Sequence, residues 1–173
     1  KPTAERVASS QLSEFARLAE QRFGREFDSY DELYQWSISD SEDFWGLVAE
    51  FTGLISSETD GKVATHLDQF PGTQWFPNTR LNFAENFLQY RDDRVALVSL
   101  LENDQRRTLS YSDLYKHVAV LAAAFRAAGL GPGDRVAALM PNIPETVIAM
   151  LATTSLGAIW SSCSPDFGVE GAC

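Results

Sequence analysis

Apolar residues at Leu12, Phe15, Ala16, Ala19 and Phe23 recur at spacings of three and four, and Gly24 closes the run. That period predicts an amphipathic helix. Ser29 with Glu32 offers a capping box ahead of Leu33, Tyr34 and Trp36, and Ser39 with Glu42 offers another ahead of Phe44, Trp45, Leu47, Val48 and Phe51. Asp40, Glu42 and Asp43 place negative charge where a helix dipole favours it, and Gly53 ends the third helix. The polar run from Ser56 to Lys62 reads as loop.

The stretch from Phe70 to Asn82 is rich in Pro, Gly, Asn and aromatics, which suits an irregular wrapping segment. Asn82 to Tyr90 is expected to be a short helix. After Asp93 the style changes: Val95 to Leu101 reads as a strand, Asn103 to Arg106 as a turn, and Arg107 to Leu109 as a returning strand. Ser110, with Asp113 three residues on, caps a long helix whose stripe is Tyr111, Leu114, Val118, Leu121 and Phe125. Arg135 to Met140 is a short apolar strand. Asn142 with Glu145 makes a further capping box, Pro144 sits in the first turn, and this helix is expected to run to about Leu156. Ala158 to Ser162 is another strand. The order strand, helix, strand, helix, strand implies a parallel sheet wrapped by helices.

Charge narrows the choice of partner. The chain has 173 residues, a formal net charge of −10 and 45% hydrophobic content, a soluble globular composition that opposes a phosphate backbone. Nucleic acid and anionic membrane surfaces are therefore disfavoured. The longest apolar stretch, Val147 to Trp160, is interrupted by Thr153, Thr154, Ser155 and Gly157 and is shorter than a bilayer crossing requires. Lys1 to Gln11 has no apolar core of a secretory signal. Cys163 and Cys173 sit in no metal-binding pattern and read as reduced thiols of a cytoplasmic protein; no metal ligands are expected. His66 is isolated, and His117 falls off the apolar stripe of its helix.

In an open parallel sheet, ligands bind beyond the carboxyl ends of the strands. Two crests qualify: Pro141, Asn142 and Ile143 after one strand, and Cys163, Ser164, Pro165, Asp166, Phe167 and Gly168 after the next. Ser164 or Asp166 is placed to cap a helix beginning near Val169, whose amides would favour an anionic group such as a phosphate; a loop that simply caps the next helix is the alternative. Gly129, Gly131 and Gly133 follow a helix and open a strand, the reverse of a phosphate-cradling loop, so a helix end and a tight turn fixed by Pro132 are expected. No catalytic residue is identified in the chain.

Several linked motifs carry a family resemblance. Ser110-Tyr111-Ser112-Asp113-Leu114-Tyr115, Gly131-Pro132-Gly133-Asp134-Arg135-Val136 and Met140-Pro141-Asn142-Ile143-Pro144-Glu145 resemble the opening of the adenylate-forming domain of acyl-CoA synthetases. Trp36-Ser37 and Asp43-Phe44-Trp45 are similar to the helical amino-terminal extension of the acetyl- and acetoacetyl-CoA synthetase branch, and Trp75-Phe76-Pro77 with Arg80 to Asn86 to its connecting segment. The wording from Gly157 to Gly168 resembles that of acetoacetyl-CoA synthetases.

This resemblance implies an α/β chain: a helical amino-terminal extension over 1–90, then the first strands and helices of a parallel-sheet adenylate-forming domain over 91–173, incomplete. It implies a two-step ligase for acetoacetate that uses ATP, Mg2+ and CoA, with a ligase for another short acyl acid, or a noncatalytic nucleotide- or protein-binding fragment, as alternatives. Ser164, Pro165 and Asp166 are carried over as the residues along the CoA nucleotide. The family's phosphate-binding loop has no counterpart in the chain, and Gly171-Ala172-Cys173 does not read as a natural stop. These residues alone are expected to be inactive and, with an open sheet edge, prone to self-association.

Overall fold

Helix ends are set largely by local hydrogen bonds. The computed structural model describes residues 2–57, 60–168 and 171, and its packing separates two units, Lys1–Arg80 and Leu81–Cys173. The first holds helices α1 (Ala4–Ala8), α2 (Gln11–Phe23), α3 (Tyr30–Ser39) and α4 (Ser41–Phe51). Ser10 Oγ accepts from the Ser13 N–H at 3.2 Å to start α2, and Gly24 ends it at φ 63°. Ser29 Oγ accepts from the Glu32 N–H at 3.3 Å while Glu32 Oε2 accepts from the Asp28 N–H at 2.8 Å, so the first expected capping box forms with its return bond one residue early.

The second box does not form. Helix α3 runs through Ser39, and Asp40 both ends α3 and begins α4 without a side-chain cap. The Ser39 hydroxyl instead donates to Asp40 Oδ2 at 2.7 Å, and Asp40 pairs with Arg25 at 3.2 Å. The core of this unit is Phe15, Ala19, Leu33, Trp36 and Leu47. Trp36 is its hub, with ring centroids of Phe23, Phe27 and Phe44 at 5.3, 5.5 and 5.6 Å. The segment expected to be irregular supplies β2 (Gln74–Trp75), which pairs antiparallel with β1 (Ala64–Thr65) just before it.

The second unit begins with α5 (Phe83–Phe87), followed by β3 (Val95–Leu100), β4 (Arg106–Ser110), α6 (Tyr111–Ala127), β5 (Arg135–Leu139), α7 (Pro144–Ser155) and β6 (Ile159–Cys163). The packing boundary lies at Arg80–Leu81, and Ala84 and Leu88 join the core of Leu114, Val118, Ala122, Leu151 and Ala152. Asn82 fastens the start of this unit to its own interior. Its Oδ1 accepts from the Glu85 N–H at 3.1 Å, and its Nδ2 donates to the carbonyls of Thr154 and Ser155 at 3.0 and 3.3 Å. One side chain thus caps the start of α5 and satisfies carbonyls at the end of α7.

Strands β5 and β6 pair in parallel, from Arg135 opposite Ile159 to Leu139 opposite Cys163. β3 does not join them, contrary to the single sheet expected; it pairs with β4 as an antiparallel hairpin with a register irregularity between Val95 and Leu97. A two- to five-residue turn lets neighbouring strands close on each other directly, whereas parallel neighbours need a crossover. Helix α6 starts at Ser110, whose Oγ accepts from the Asp113 N–H at 3.1 Å. It ends with Gly129 N–H bonded to Arg126 O and Leu130 N–H bonded to Phe125 O, a Schellman motif with Gly129 at φ 91°. The Gly129 to Gly133 cluster is therefore a helix stop and a turn.

The start of α7 also departs from expectation. Ile143 occupies the N-cap and Pro144 the first helical position, so Glu145 falls second in the helix and cannot complete a box with Asn142. Glu145 instead accepts from Arg107 of β4 at 2.6 Å, 38 residues away in sequence. The Arg107 guanidinium, and after it the Glu145 backbone N–H, hold the Glu145 carboxyl below the usual carboxylate range.

Two outcomes test this packing. Leu151 is 1% exposed, so Leu151→Ala is expected to lower unfolding free energy by about 2–5 kcal/mol, whereas Val120→Ala, at a position 72% exposed, changes it by less than about 0.5 kcal/mol; urea denaturation measures both. A depressed carboxyl stabilises the fold above its unfolded pKa and loses that contribution as acid protonates it. The stability gap between wild type and Glu145→Gln is therefore full above about pH 4.3 and closes below it, as denaturation at stepped pH would record.

Candidate functional site

The parallel register decides which loops can meet a ligand together. Because Leu139 lies opposite Cys163, the Pro141–Ile143 crest and the Ser164–Gly168 crest leave the sheet on the same rim. Met140 N–H extends the ladder to Cys163 O at 3.3 Å. The two crests selected from sequence are thus neighbours.

At the first crest, Pro141 O accepts from the Ile143 N–H at 2.9 Å and from Thr146 Oγ1 at 2.7 Å, which pins the loop onto the first turn of α7. Asn142 is exposed. Beneath it lies a cavity of about 170 Å³ lined by Ser99 and Leu97 of β3 and by Asn142, Ile143 and Val147. Ser99 Oγ and Glu145 Oε2 are both buried and lack a hydrogen-bond partner among the described residues. Ser99 sits directly across the hairpin from Arg107, so an Arg107–Glu145 ion pair and two unsatisfied oxygens gather under this crest. Sequence reading missed the group, since nothing local in Ser99, Arg107 or Glu145 announces contacts made through a hairpin and across to another helix.

At the second crest, Ser164 caps the 3-10 turn Pro165–Phe167; the helix expected near Val169 lies outside the described residues. Ser164 Oγ accepts from the Asp166 N–H at 3.4 Å and donates to Asp166 Oδ2 at 2.9 Å, and Ser164 O accepts from the Phe167 N–H at 3.2 Å. The amides of Asp166 and Phe167 are therefore engaged within the turn, and an anionic carboxylate stands in front of them. Neither of these two amides is left for a phosphate. The turn offers Asp166 as an acceptor and Phe167, 63% exposed, as an apolar plane, which suits a sugar hydroxyl, an exocyclic amine or a base.

The half-buried Cys163 thiol completes the rim. Among the described residues no group of three or more His, Cys, Asp or Glu is placed to hold a metal ion, and no helix is long and apolar enough to cross a membrane. Arg107, the cation nearest the first crest in the hydrogen-bond network, is committed to Glu145. Among the described residues the rim presents hydrogen-bond acceptors and an exposed ring and no free cation.

Comparison with known proteins agrees with this architecture. Residues 30–87 match the model for the acetyl-coenzyme A synthetase N-terminus. The acetoacetyl-coenzyme A synthetase of Rhizobium meliloti (strain 1021) is 45% identical over 170 residues, covering 98% of this chain and 26% of that protein. The acetoacetyl-CoA synthetase of Xenopus tropicalis is 40% identical over 168 residues, covering 94% of this chain and 25% of that protein. The solved acetoacetyl-CoA synthetase from Streptomyces lividans superposes with a TM-score of 0.88 at 37% identity, over 98% of this chain and 27% of its own. The chain therefore spans about a quarter of the length of these relatives. Residues 83–172, more than half of the chain, match the model of the AMP-binding enzymes, and together with the parallel rim of β5 and β6 they place the chain in the AMP-binding enzyme family.

Proposed function

We propose that this chain is the amino-terminal part of an ATP-dependent acid–thiol ligase that makes acetoacetyl-CoA from acetoacetate, ATP and CoA through an acyl-adenylate. The observation that carries this reading is the match of 98% of the chain, at 45% identity, to an acetoacetyl-coenzyme A synthetase. Carboxylates are poor electrophiles because their oxygens are poor leaving groups. Attack of the acetoacetate carboxylate on the α-phosphorus of ATP expels pyrophosphate and installs AMP as the leaving group, and the CoA thiol then displaces AMP. Mg2+, when bound, would neutralise charge on the phosphates.

Within this scheme the chain positions and does not react. Ser164, Pro165 and Asp166 lie along the CoA nucleotide, with Asp166 Oδ1 and Oδ2 as acceptors and the Phe167 ring as a surface for the base. The Arg107–Glu145 pair steadies the neighbouring crest. Among the described residues no free cation stands on the rim, which supports a reading in which the residues that hold the triphosphate, the metal and the acyl group belong to other parts of the longer protein and the chain by itself is inactive. The same reading places the protein in the cytoplasm and leaves the isolated chain able to self-associate through β5 or β6, where Leu139 and Ile159 are 59% and 52% exposed.

The longer protein is expected to catalyse acetoacetate-dependent ATP–pyrophosphate exchange, and this chain alone none; absence of exchange with any short acid would remove the ligase reading. In the longer protein Asp166→Asn is expected to raise the KM for CoA roughly three- to tenfold, the size of one hydrogen bond, while leaving the exchange half-reaction, which needs no CoA, unchanged. Steady-state kinetics beside the exchange assay separates the two.

A further inference from the structure

Asn142 has the sequence position of a capping residue, and the fold does not use it as one. Ile143 holds the N-cap of α7 without a side-chain bond, and the exposed Asn142 carboxamide makes no hydrogen bond among the described residues. The loop that carries it is nonetheless tied down. Pro141 O accepts from the Ile143 N–H at 2.9 Å and from Thr146 Oγ1 at 2.7 Å, and Ile143 O accepts from the Thr146 N–H at 3.0 Å. Glu145, in the same turn, is bonded to Arg107 of β4 at 2.6 Å, which fixes the start of α7 to the hairpin. An exposed asparagine is ordinarily just solvated. This one stands on the rim, three residues beyond Leu139, as Asp166 stands three beyond its pairing partner Cys163. Neighbouring strands lie about 4.8 Å apart, so the two side chains leave from positions that one base can span.

The chemistry of the two crests is complementary. At the second, the Asp166 and Phe167 amides are spent within the turn and the Ser164 hydroxyl donates to Asp166, so the carboxylate only accepts. An adenine base has an exocyclic amine that donates and ring nitrogens that accept, and a carboxylate meets only the first. A carboxamide brings two N–H donors and a carbonyl, the pairing that suits the amine and ring nitrogen of adenine together.

We propose that Asn142 is a specificity-determining residue for the adenine of the CoA nucleotide, donating from Nδ2 to a ring nitrogen, and that Arg107 is a positioning residue acting on it through Glu145. The proposal rests on the ligase reading and extends it to the first crest.

The test is steady-state kinetics of the longer protein beside its ATP–pyrophosphate exchange, because ATP carries the same base and only the complete reaction needs CoA. Asn142→Ala is expected to raise the KM for CoA roughly three- to tenfold, and Asn142→Asp, equal in size but without the N–H donors, by at least as much. Arg107→Met is expected to raise it roughly two- to fivefold, Arg107→Lys to restore most of that loss, and Arg107→Met to add little once Asn142 is alanine. The KM for ATP in exchange stays as in wild type. A general defect in folding would instead depress both assays together, and urea denaturation of each variant detects it. An unchanged CoA KM in Asn142→Ala, or an equal rise in the KM for ATP, overturns the base contact; full additivity of the two substitutions overturns the role of Arg107. Failure of the ligase reading is told apart from these, since the wild type would then show no exchange with any short acid.

Discussion

Parallel pairing of β5 with β6 is the constraint on which the second unit depends. Two strands that run the same way cannot be joined by a turn, so the chain must return across one face of the pair, and α7 is the segment that does so. A helix in that position has to bury a face. Leu151, Ala152 and Thr153 are sealed on it, and α6 supplies Leu114, Val118 and Ala122 against them. The hydrophobic term thus fixes α6 against α7 and, through α7, the direction in which both strands end. Everything said of the rim follows from that direction.

The two units solve the core problem differently. In the helical unit a single indole collects aromatic rings from α2, α4 and the connection before α3, with edge and tilted geometries at centroid spacings of 5.3 to 6.5 Å. Such pairs add about 0.5–1.5 kcal/mol each beyond area burial, which suits a small core with few residues to spend. The second unit relies on small residues, Ala84, Ala122 and Ala152, which let helices approach closely. An aromatic hub tolerates little change at its centre, whereas an alanine seam is sensitive to any enlargement.

What could be read from the sequence was mostly what is local. The helices α2, α3, α4 and α6, the Ser110 cap and the glycine stop at Gly129 are decided within one or two turns and formed as expected, although Leu12, Tyr34 and Trp45 of the expected stripes face solvent. So did the order of strands and helices, and with it the shared rim of the two crests. The two capping boxes that do not form share one cause: the spacing is right and the register is not. Ser39–Glu42 and Asn142–Glu145 both have box spacing, yet the helix in one case begins from a shared Asp40 and in the other from Ile143 because Pro144 takes the first position. The short β1–β2 ladder and the Arg107–Glu145 pair depend on contacts across ten to dozens of residues, where no local pattern reports them. The loop at Ser164 was found by its place after a strand, but the turn that consumes its amides was not.

Asn82 gives the second unit a property that neither of its neighbours has alone. Its carboxamide closes the start of α5 with one end and the end of α7 with the other. Helix termini ordinarily fray separately, each with its own small opening free energy. Here the two are tied into one cooperative step, so amides flanking Glu85 and those following Thr154 should surrender protection together in hydrogen exchange, despite lying some 70 residues apart.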